Sequence, residues 1–129
     1  MPTTQVIKAI TDYSTVTTPK LSGAIYVGGA KRVGIHFNQT NHSSGSITFT
    51  VQASMDDYDT VTPVFVDFNL LVDNVTNDNT HHETRVNGKT LTSTNDAIVW
   101  IDCDDYIVMW LQITAVITTD GHANATIIV

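Results

Sequence analysis

The longest run of alternating side chains in the chain extends from Tyr106 to Thr118. One of its two faces is entirely apolar and consists of Ile107, Met109, Leu111, Ile113, Ala115 and Ile117. A period of two residues is that of a β-strand with one buried face, because successive side chains of a strand point to opposite sides. The segment therefore predicts a long strand, with Val108, Trp110 and Val116 on the face opposite the core.

Composition extends this prediction to the whole chain. There are 21 Thr, 15 Val and 12 Ile among the 129 residues. Branching at Cβ restricts χ1 and favours a pleated sheet over a helix. We therefore expect no long helix.

Two pairs of segments have the pattern of hairpins. Lys31 to Asn38 and Ser46 to Ser54 alternate strictly, and the polar turn residues Thr40 to Gly45 separate them. His82 to Val86 and Lys89 to Thr94 flank Asn-Gly, which supplies the positive φ angles of a type I′ turn. The sequence predicts a hairpin at each place.

Three further segments are apolar enough to be strands. Val64 to Val72 predicts a central strand covered near its end, and Ala97 to Asp102 predicts another buried strand. Ala123 to Val129 predicts a last strand that ends the chain inside a sheet.

About eight strands separated by turn residues predict an all-β fold, an antiparallel β-sandwich of jelly-roll-like type. Residues 1–20 are Thr-rich and alternate weakly, which favours an extended N-terminal arm or an edge strand. Residues 21–129 are expected to form a single domain.

Charge and targeting signals exclude several classes of partner. The net charge is −7 with six Lys and Arg, which disfavours binding to nucleic acid. We find no signal-peptide pattern and no apolar run long enough to span a bilayer, so we expect synthesis in a cytoplasm and no membrane partner. The single cysteine, Cys103, cannot form an intramolecular disulfide.

The sequence lacks a set of residues that would make an enzyme. There is no Gly-x-Ser-x-Gly elbow, Glu83 is the only glutamate, and acidic neighbours would raise the pKa of Cys103. We expect no catalytic residues, no cofactor and no metal. The alternative is a calcium site shared by two of three acidic loops, for which the candidates are Asp56, Asp57 and Asp59, then Asp102, Asp104 and Asp105, and then Asp73 and Asp78.

The histidines are interpreted as surface residues. His81 and His82 are adjacent in sequence, and adjacent strand residues point to opposite faces, so the pair would not hold one metal ion. His36, His42 and His122 could approach them only through the tertiary fold.

Aromatic residues allow two interpretations. Trp100, Trp110, Tyr26, Tyr58 and Tyr106 could form a platform for sugar rings. The tryptophans lie in the most apolar segments, which favours packing in the core or against another subunit. The predicted interface residues are Trp110, Val108, Val116, Trp100 and Tyr106.

Three segments resemble small virion proteins of tailed bacteriophages. They are Ser44-Gly45-Ser46-Ile47-Thr48-Phe49-Thr50-Val51-Gln52-Ala53-Ser54-Met55-Asp56-Asp57, Asp73-Asn74-Val75-Thr76-Asn77 and Ile117-Thr118-Thr119-Asp120-Gly121. They look like the strands and loops of β-sandwich proteins of the capsid-decoration or head-associated type. This chain has Asp56-Asp57-Tyr58 where such sequences usually have Asp-Gly followed by an aromatic residue.

The resemblance implies a non-enzymatic structural protein located in the virion. Its partners would be the major capsid protein or other virion proteins, together with further copies of itself in a homo-oligomer, for which a trimer is the simplest expectation. The alternative is a carbohydrate-binding or host-adhesion module of a phage fibre, and a third interpretation is a calcium-dependent adhesin domain.

Overall fold

Two antiparallel sheets make up the protein in a computed structural model that describes residues 5–28, 30–75, 81–103 and 107–129. The predicted class, an all-β sandwich, is confirmed. Within the described residues there are twelve strands rather than about eight, because the predicted strand from Val64 to Val72 is divided in two and three strands precede Lys31. This part of the chain holds no helix long and apolar enough to cross a bilayer.

The strands alternate between the sheets along much of the chain. Their bounds are β1 Val6–Tyr13, β2 Lys20–Leu21, β3 Ile25–Tyr26, β4 Arg32–Thr40, β5 Ile47–Ser54, β6 Val66–Phe68, β7 Leu70–Val75, β8 His81–Val86, β9 Lys89–Leu91, β10 Asn95–Asp102, β11 Trp110–Ile117 and β12 His122–Ile128. The first sheet has the order β1-β12-β4-β10-β7-β8. The second has the order β2-β11-β5-β6, with β3 also paired to β11 and β9 also paired to β5.

The core lies between the sheets and is centred on two phenylalanines. Phe37 of β4 and Phe49 of β5 stack with ring centroids 4.4 Å apart and planes 11° apart, and both are fully buried. On either side of each ring the odd-numbered residues of β4 and β5 point inward, as their alternation predicts. The ring pair therefore joins the two layers at their centre.

The first and last strands of the described residues pair with each other in the first sheet. β1 lies at its edge and pairs with β12, while β12 lies between β1 and β4. The C-terminal strand is thus inside a sheet, as predicted. Part of the predicted arm, residues 6–13, forms an edge strand.

Both predicted hairpins are wrong. β4 belongs to the first sheet and β5 to the second, so Asn41 to Ser46 cross between layers. β8 pairs with β7 and β9 pairs with β5, so Asn87 and Gly88 also connect the two layers. Alternation shows which face of a strand is buried, and two strands with inward apolar faces satisfy it equally well in one sheet or in opposite sheets.

The predicted central strand from Val64 to Val72 is divided at Asn69. β6 lies in the second sheet and β7 in the first, so the chain bends from one layer to the other. Phe68 and Leu70 both contact the core, one on each side of the bend. The alternation therefore continues through a change of sheet.

The long strand predicted from Tyr106 begins only at Trp110. Its core face from Leu111 to Ile117 is as predicted, but Ile107 is exposed and has a φ of 53°. This left-handed conformation turns the backbone, so that the side chains of Ile107 and Val108 point to the sides opposite to those predicted. Val108, predicted on the outer face, is consequently 3% exposed and belongs to the core.

A carboxylate clasp closes the crossover between β4 and β5. Asp120 accepts hydrogen bonds from the backbone N–H groups of Ser43 (3.1 Å) and Ser44 (3.1 Å) and from the Ser43 hydroxyl. These donors lower the pKa of Asp120 from 3.8 to about 2, with the Ser43 hydroxyl as the largest cause. The clasp joins the loop before β5 to the loop before β12.

Loss of the Asp120 clasp should show as a change in acid stability. Because the pKa is lower in the folded chain, the clasp stabilises the fold fully above about pH 4, and this stabilisation is lost as the pH falls towards about 2. We expect Asp120→Asn to lower the urea midpoint at pH 7 and to flatten its fall between pH 4 and pH 2. Asp59→Asn, which removes an exposed carboxylate elsewhere, controls for net charge. An unchanged pH profile in Asp120→Asn would contradict the clasp.

Gly45, in the same crossover, is required for two separable reasons. Its φ is 81°, and a Cβ atom there would lie 2.5 Å from Thr119 Oγ1. Gly23 has a similar φ of 83° but no atom within 4 Å of an added Cβ. We expect Gly23→Ala to cost about 1 kcal/mol from backbone strain, and Gly45→Ala about 3 kcal/mol because overpacking adds to the strain. Urea unfolding measures both, and equal losses would show that the crowding at Gly45 has no effect.

Candidate interaction surfaces

The outer face of the first sheet carries an apolar row across four neighbouring strands. Val6 is opposite Ile128, Ile128 is opposite Gly34, and Gly34 is opposite Trp100. Directly opposite residues share a face, so these four positions lie side by side. Ile98 is two residues from Trp100 on the same strand and the same face, and it is 70% exposed. We call these five residues the apolar patch.

The apolar patch contains a groove, because Gly34 in the middle of the row has no side chain. The groove has a volume of about 210 Å³ and is lined by Gly34, Ile35, His36, Ile98 and Ile128. A Cβ atom on Gly34 would meet only Ile128, at 4.0 Å, so the glycine leaves open space rather than relieving a clash. Ile98 and Ile128 thus project on either side of a depression, which suits the packing of another surface.

Beside the apolar patch, the same face is covered by a hydrogen-bonded ladder of polar side chains. Asn124 donates to Asn38 Oδ1 over 3.3 Å, and Asn38 donates to the Asp96 carboxylate. His36 Nε2 lies 3.2 Å from Asp96 Oδ1. The hydrogen bond from Asn38 has the largest effect and lowers the pKa of Asp96. Desolvation opposes it to a smaller extent, and the hydrogen bond and charge of His36 lower the pKa further. The polar side chains of the ladder thus hydrogen-bond to one another. The outer face of the first sheet therefore has a polar part and an apolar part.

The predicted interface residues do not form one surface. Trp100 lies on the outer face of the first sheet, where the Arg32 guanidinium is 5.6 Å from its ring centroid. Trp110 and Val116 lie on the outer face of the second sheet, and Val116 is 41% exposed. Val108 is in the core, and Tyr106 lies outside the described residues. The two tryptophans are therefore on opposite layers.

Residues of the apolar patch other than Trp100 were not predicted. The signal available was two consecutive apolar residues in a strand, because such a pair places one side chain on each face. Ile127 is buried, so its neighbour Ile128 must point outward. Val99 is also buried, so its neighbour Ile98 must point outward. Gly34 has no side chain, so the alternation of apolar and polar residues gives no sign that it belongs to an apolar surface.

Trp110 fastens the loop that follows β5. Its indole N–H donates to the backbone carbonyls of Asp56 (3.0 Å) and Asp57 (3.2 Å). The Asp56 carboxylate in turn accepts the backbone N–H of Val64 (2.7 Å) and the hydroxyl of Ser54 (3.1 Å), which closes the base of the loop. Residues 55–64 are thus held against the end of the second sheet.

This pinned loop completes a cluster of three aromatic rings. Tyr26 is opposite Trp110 across β3 and β11, with ring centroids 5.1 Å apart in an edge-to-face arrangement. Tyr58, at the loop turn, packs against Tyr26 with centroids 6.1 Å apart, also edge to face. Tyr58 is 71% exposed. We call Tyr26, Tyr58 and Trp110 the aromatic cluster, which contains three of the five residues predicted as a platform.

The base of the loop borders an apolar groove of about 290 Å³. Its lining includes Met55, Val64, Val66, Phe68 and the buried Val108. At the tip of the loop, Val61 is 96% exposed. The described residues show no segment that covers this groove.

The acidic and histidine side chains do not assemble a metal site within the described residues. No group of three or more His, Cys, Asp or Glu is placed there to hold an ion. Asp56, one of the predicted calcium ligands, instead accepts a backbone hydrogen bond. Asp104 and Asp105 lie outside the described residues, as do the side chains of His81 and His82.

The three described histidines are apart from one another and each has its own partner. His36 pairs with Asp96, and His122 Nδ1 lies 2.5 Å from Asp12 Oδ1. His42 Nε2 lies 2.8 Å from the carbonyl oxygen of Gly45. None of them lies beside Cys103, whose thiol is buried in the core.

Comparison of the chain with protein-family models, with curated proteins and with solved structures gave no match. Its function is therefore inferred from its own residues.

Cys103 should be inert in the folded protein. Burial, and secondly the charge of Asp102, raise the pKa of the thiol to about 11. We expect a disulfide reagent such as DTNB at pH 8 to react with Cys103 only on unfolding, because the thiolate is the reactive form. Val61→Cys, at an exposed loop position, should react rapidly with one equivalent. Rapid reaction of Cys103 in the native state would contradict its burial.

Proposed function

We propose that the chain is a non-enzymatic structural protein of a phage virion that binds repeated sites on the capsid lattice through the apolar patch. Its partners are the major capsid protein and neighbouring copies of the chain. The proposal places the protein on the virion, as a capsid-decoration or head-associated component.

The observation that carries this proposal is the exposure of apolar side chains of the apolar patch on a regular sheet face. An antiparallel sheet with one face in water normally has polar side chains there, as the second sheet has along Thr48, Thr50 and Gln52. Val6, Ile98 and Ile128 are instead apolar and exposed. Contact with another protein would remove them from water, which supports a role as an attachment surface.

Two further observations support the proposal. Two of the three segments that resemble virion proteins form β5 with the start of its loop and the end of β11 with the clasped turn at Asp120. The third begins in β7 and continues outside the described residues. The described histidines and Cys103 are separated or buried, so they do not form a nucleophile with an adjacent base. Both fit a protein that acts by binding.

The test is co-sedimentation with capsid shells assembled from the major capsid protein of the same virion. Ile98→Asp places a charge in the apolar patch, beside its groove, at a position exposed enough to leave the core intact. We expect its affinity for shells to fall at least tenfold, because a buried unpaired carboxylate is costly at an interface.

Val116→Asp is the matched control, since Val116 is an exposed valine on the outer face of the opposite layer. It should bind shells as the unchanged chain does, and circular dichroism should show the same sheet content for both variants. Failure of the unchanged chain to sediment with shells would contradict the proposed function. An equal loss in both variants would contradict the assignment to the first sheet.

A further inference from the structure

We propose that the aromatic cluster is a binding site for a neutral saccharide, with Tyr58 as the stacking platform. This site lies on the second sheet and is separate from the apolar patch. A chain attached through the outer face of the first sheet would present the opposite layer, and with it this site, to the surrounding solution.

Tyr58 is held in place although it is exposed. The carbonyls on its N-terminal side accept the Trp110 indole N–H, and the Thr60 N–H donates to the Asp57 carbonyl over 3.0 Å, which closes the turn around Tyr58. The backbone on both sides of Tyr58 is thus fixed, and the Trp110 side chain ties it to the second sheet. A preorganised ring loses little freedom when a ligand stacks on it.

The three rings of the aromatic cluster meet edge to face. The planes of Tyr58 and Tyr26 meet at 61°, and those of Tyr26 and Trp110 at 68°. Edge contact with Tyr26 leaves a face of the Tyr58 ring open to solvent, consistent with its large exposed fraction. The C–H face of a pyranose is apolar and flat, and it removes such a ring face from water when it stacks.

Polar residues adjoin the residues of the aromatic cluster along the chain. Asp57 and Asp59 flank Tyr58 in sequence and are both exposed. Gln112 follows Trp110 on the same face of β11 and brings an amide that both donates and accepts. Sugar hydroxyls both donate and accept hydrogen bonds, so the carboxylates next to Tyr58 can accept from them and the amide next to Trp110 on β11 can donate to them.

Charge restricts the class of saccharide. Carboxylates on both sides of Tyr58, in a chain of net charge −7, repel an anionic sugar such as a sialic acid. A neutral hexose or N-acetylhexosamine carries no such penalty. The site is open and shallow, so the affinity for one sugar unit is expected near 1 mM, an order-of-magnitude value that repeated copies on a lattice would raise.

The experiment is an NMR titration of the isolated chain, which does not depend on capsid binding. The probes are methyl glucoside, methyl galactoside, N-acetylglucosamine and their trisaccharides, with sialic acid and tetramethylammonium chloride for comparison. We expect a neutral probe to shift the Trp110 indole resonance and the Tyr58 ring resonances. The Trp100 indole, on the opposite layer, should not move and serves as an internal control.

Three variants identify the platform. Tyr58→Ala should weaken binding at least tenfold, whereas Tyr58→Phe keeps the ring and should bind nearly as well as the unchanged chain. Val61→Ala changes an exposed residue of the same loop outside the cluster and should bind normally.

The proposal is overturned if no neutral probe shifts Trp110 or Tyr58, or if Tyr58→Ala binds unchanged. It is also overturned if tetramethylammonium alone shifts these resonances, which would indicate a cation site. Ile98→Asp should retain sugar binding, so failure of capsid attachment and failure of the saccharide site are distinguished.

Discussion

The stacked rings of Phe37 and Phe49 join the two layers, and the rest of the structure depends on that contact. Each ring comes from the centre of a long strand, and both are withdrawn completely from water. Because the inner faces of both sheets are used in this core, only the outer faces, the edges and the loops remain for contact with other molecules. The chemistry of those outer surfaces therefore indicates what the protein does.

The two outer faces differ in kind. On the first sheet, an apolar patch adjoins a ladder of paired amides and carboxylates. On the second, threonine and glutamine side chains lead to a cluster of aromatic rings. An apolar surface favours attachment, because its removal from water lowers the free energy, whereas exposed rings beside hydrogen-bonding groups favour a small polar ligand. The first sheet thus suits attachment to another protein, and the second suits the binding of a small ligand from solution.

Loop carboxylates in this protein bind backbone N–H groups. Asp120 holds the Ser43 and Ser44 amides, and Asp56 holds the Val64 amide and the Ser54 hydroxyl. A carboxylate that accepts such hydrogen bonds closes a loop without a metal ion or a disulfide. This arrangement explains how a chain with one buried cysteine keeps long crossovers in fixed positions.

The sequence by itself determined the fold class and most of the core. Alternation identified the inward residues of β4, β5 and of β11 after Trp110, because a period of two residues fixes the face of each side chain. It did not determine which strands are neighbours, since inward apolar faces pack equally well from either layer. Only the tertiary structure decided that the predicted hairpins are crossovers, that Trp100 and Trp110 lie on opposite layers, and that Gly34 lies beside Ile128. These are contacts between residues distant in sequence, and local pattern carries no information about them.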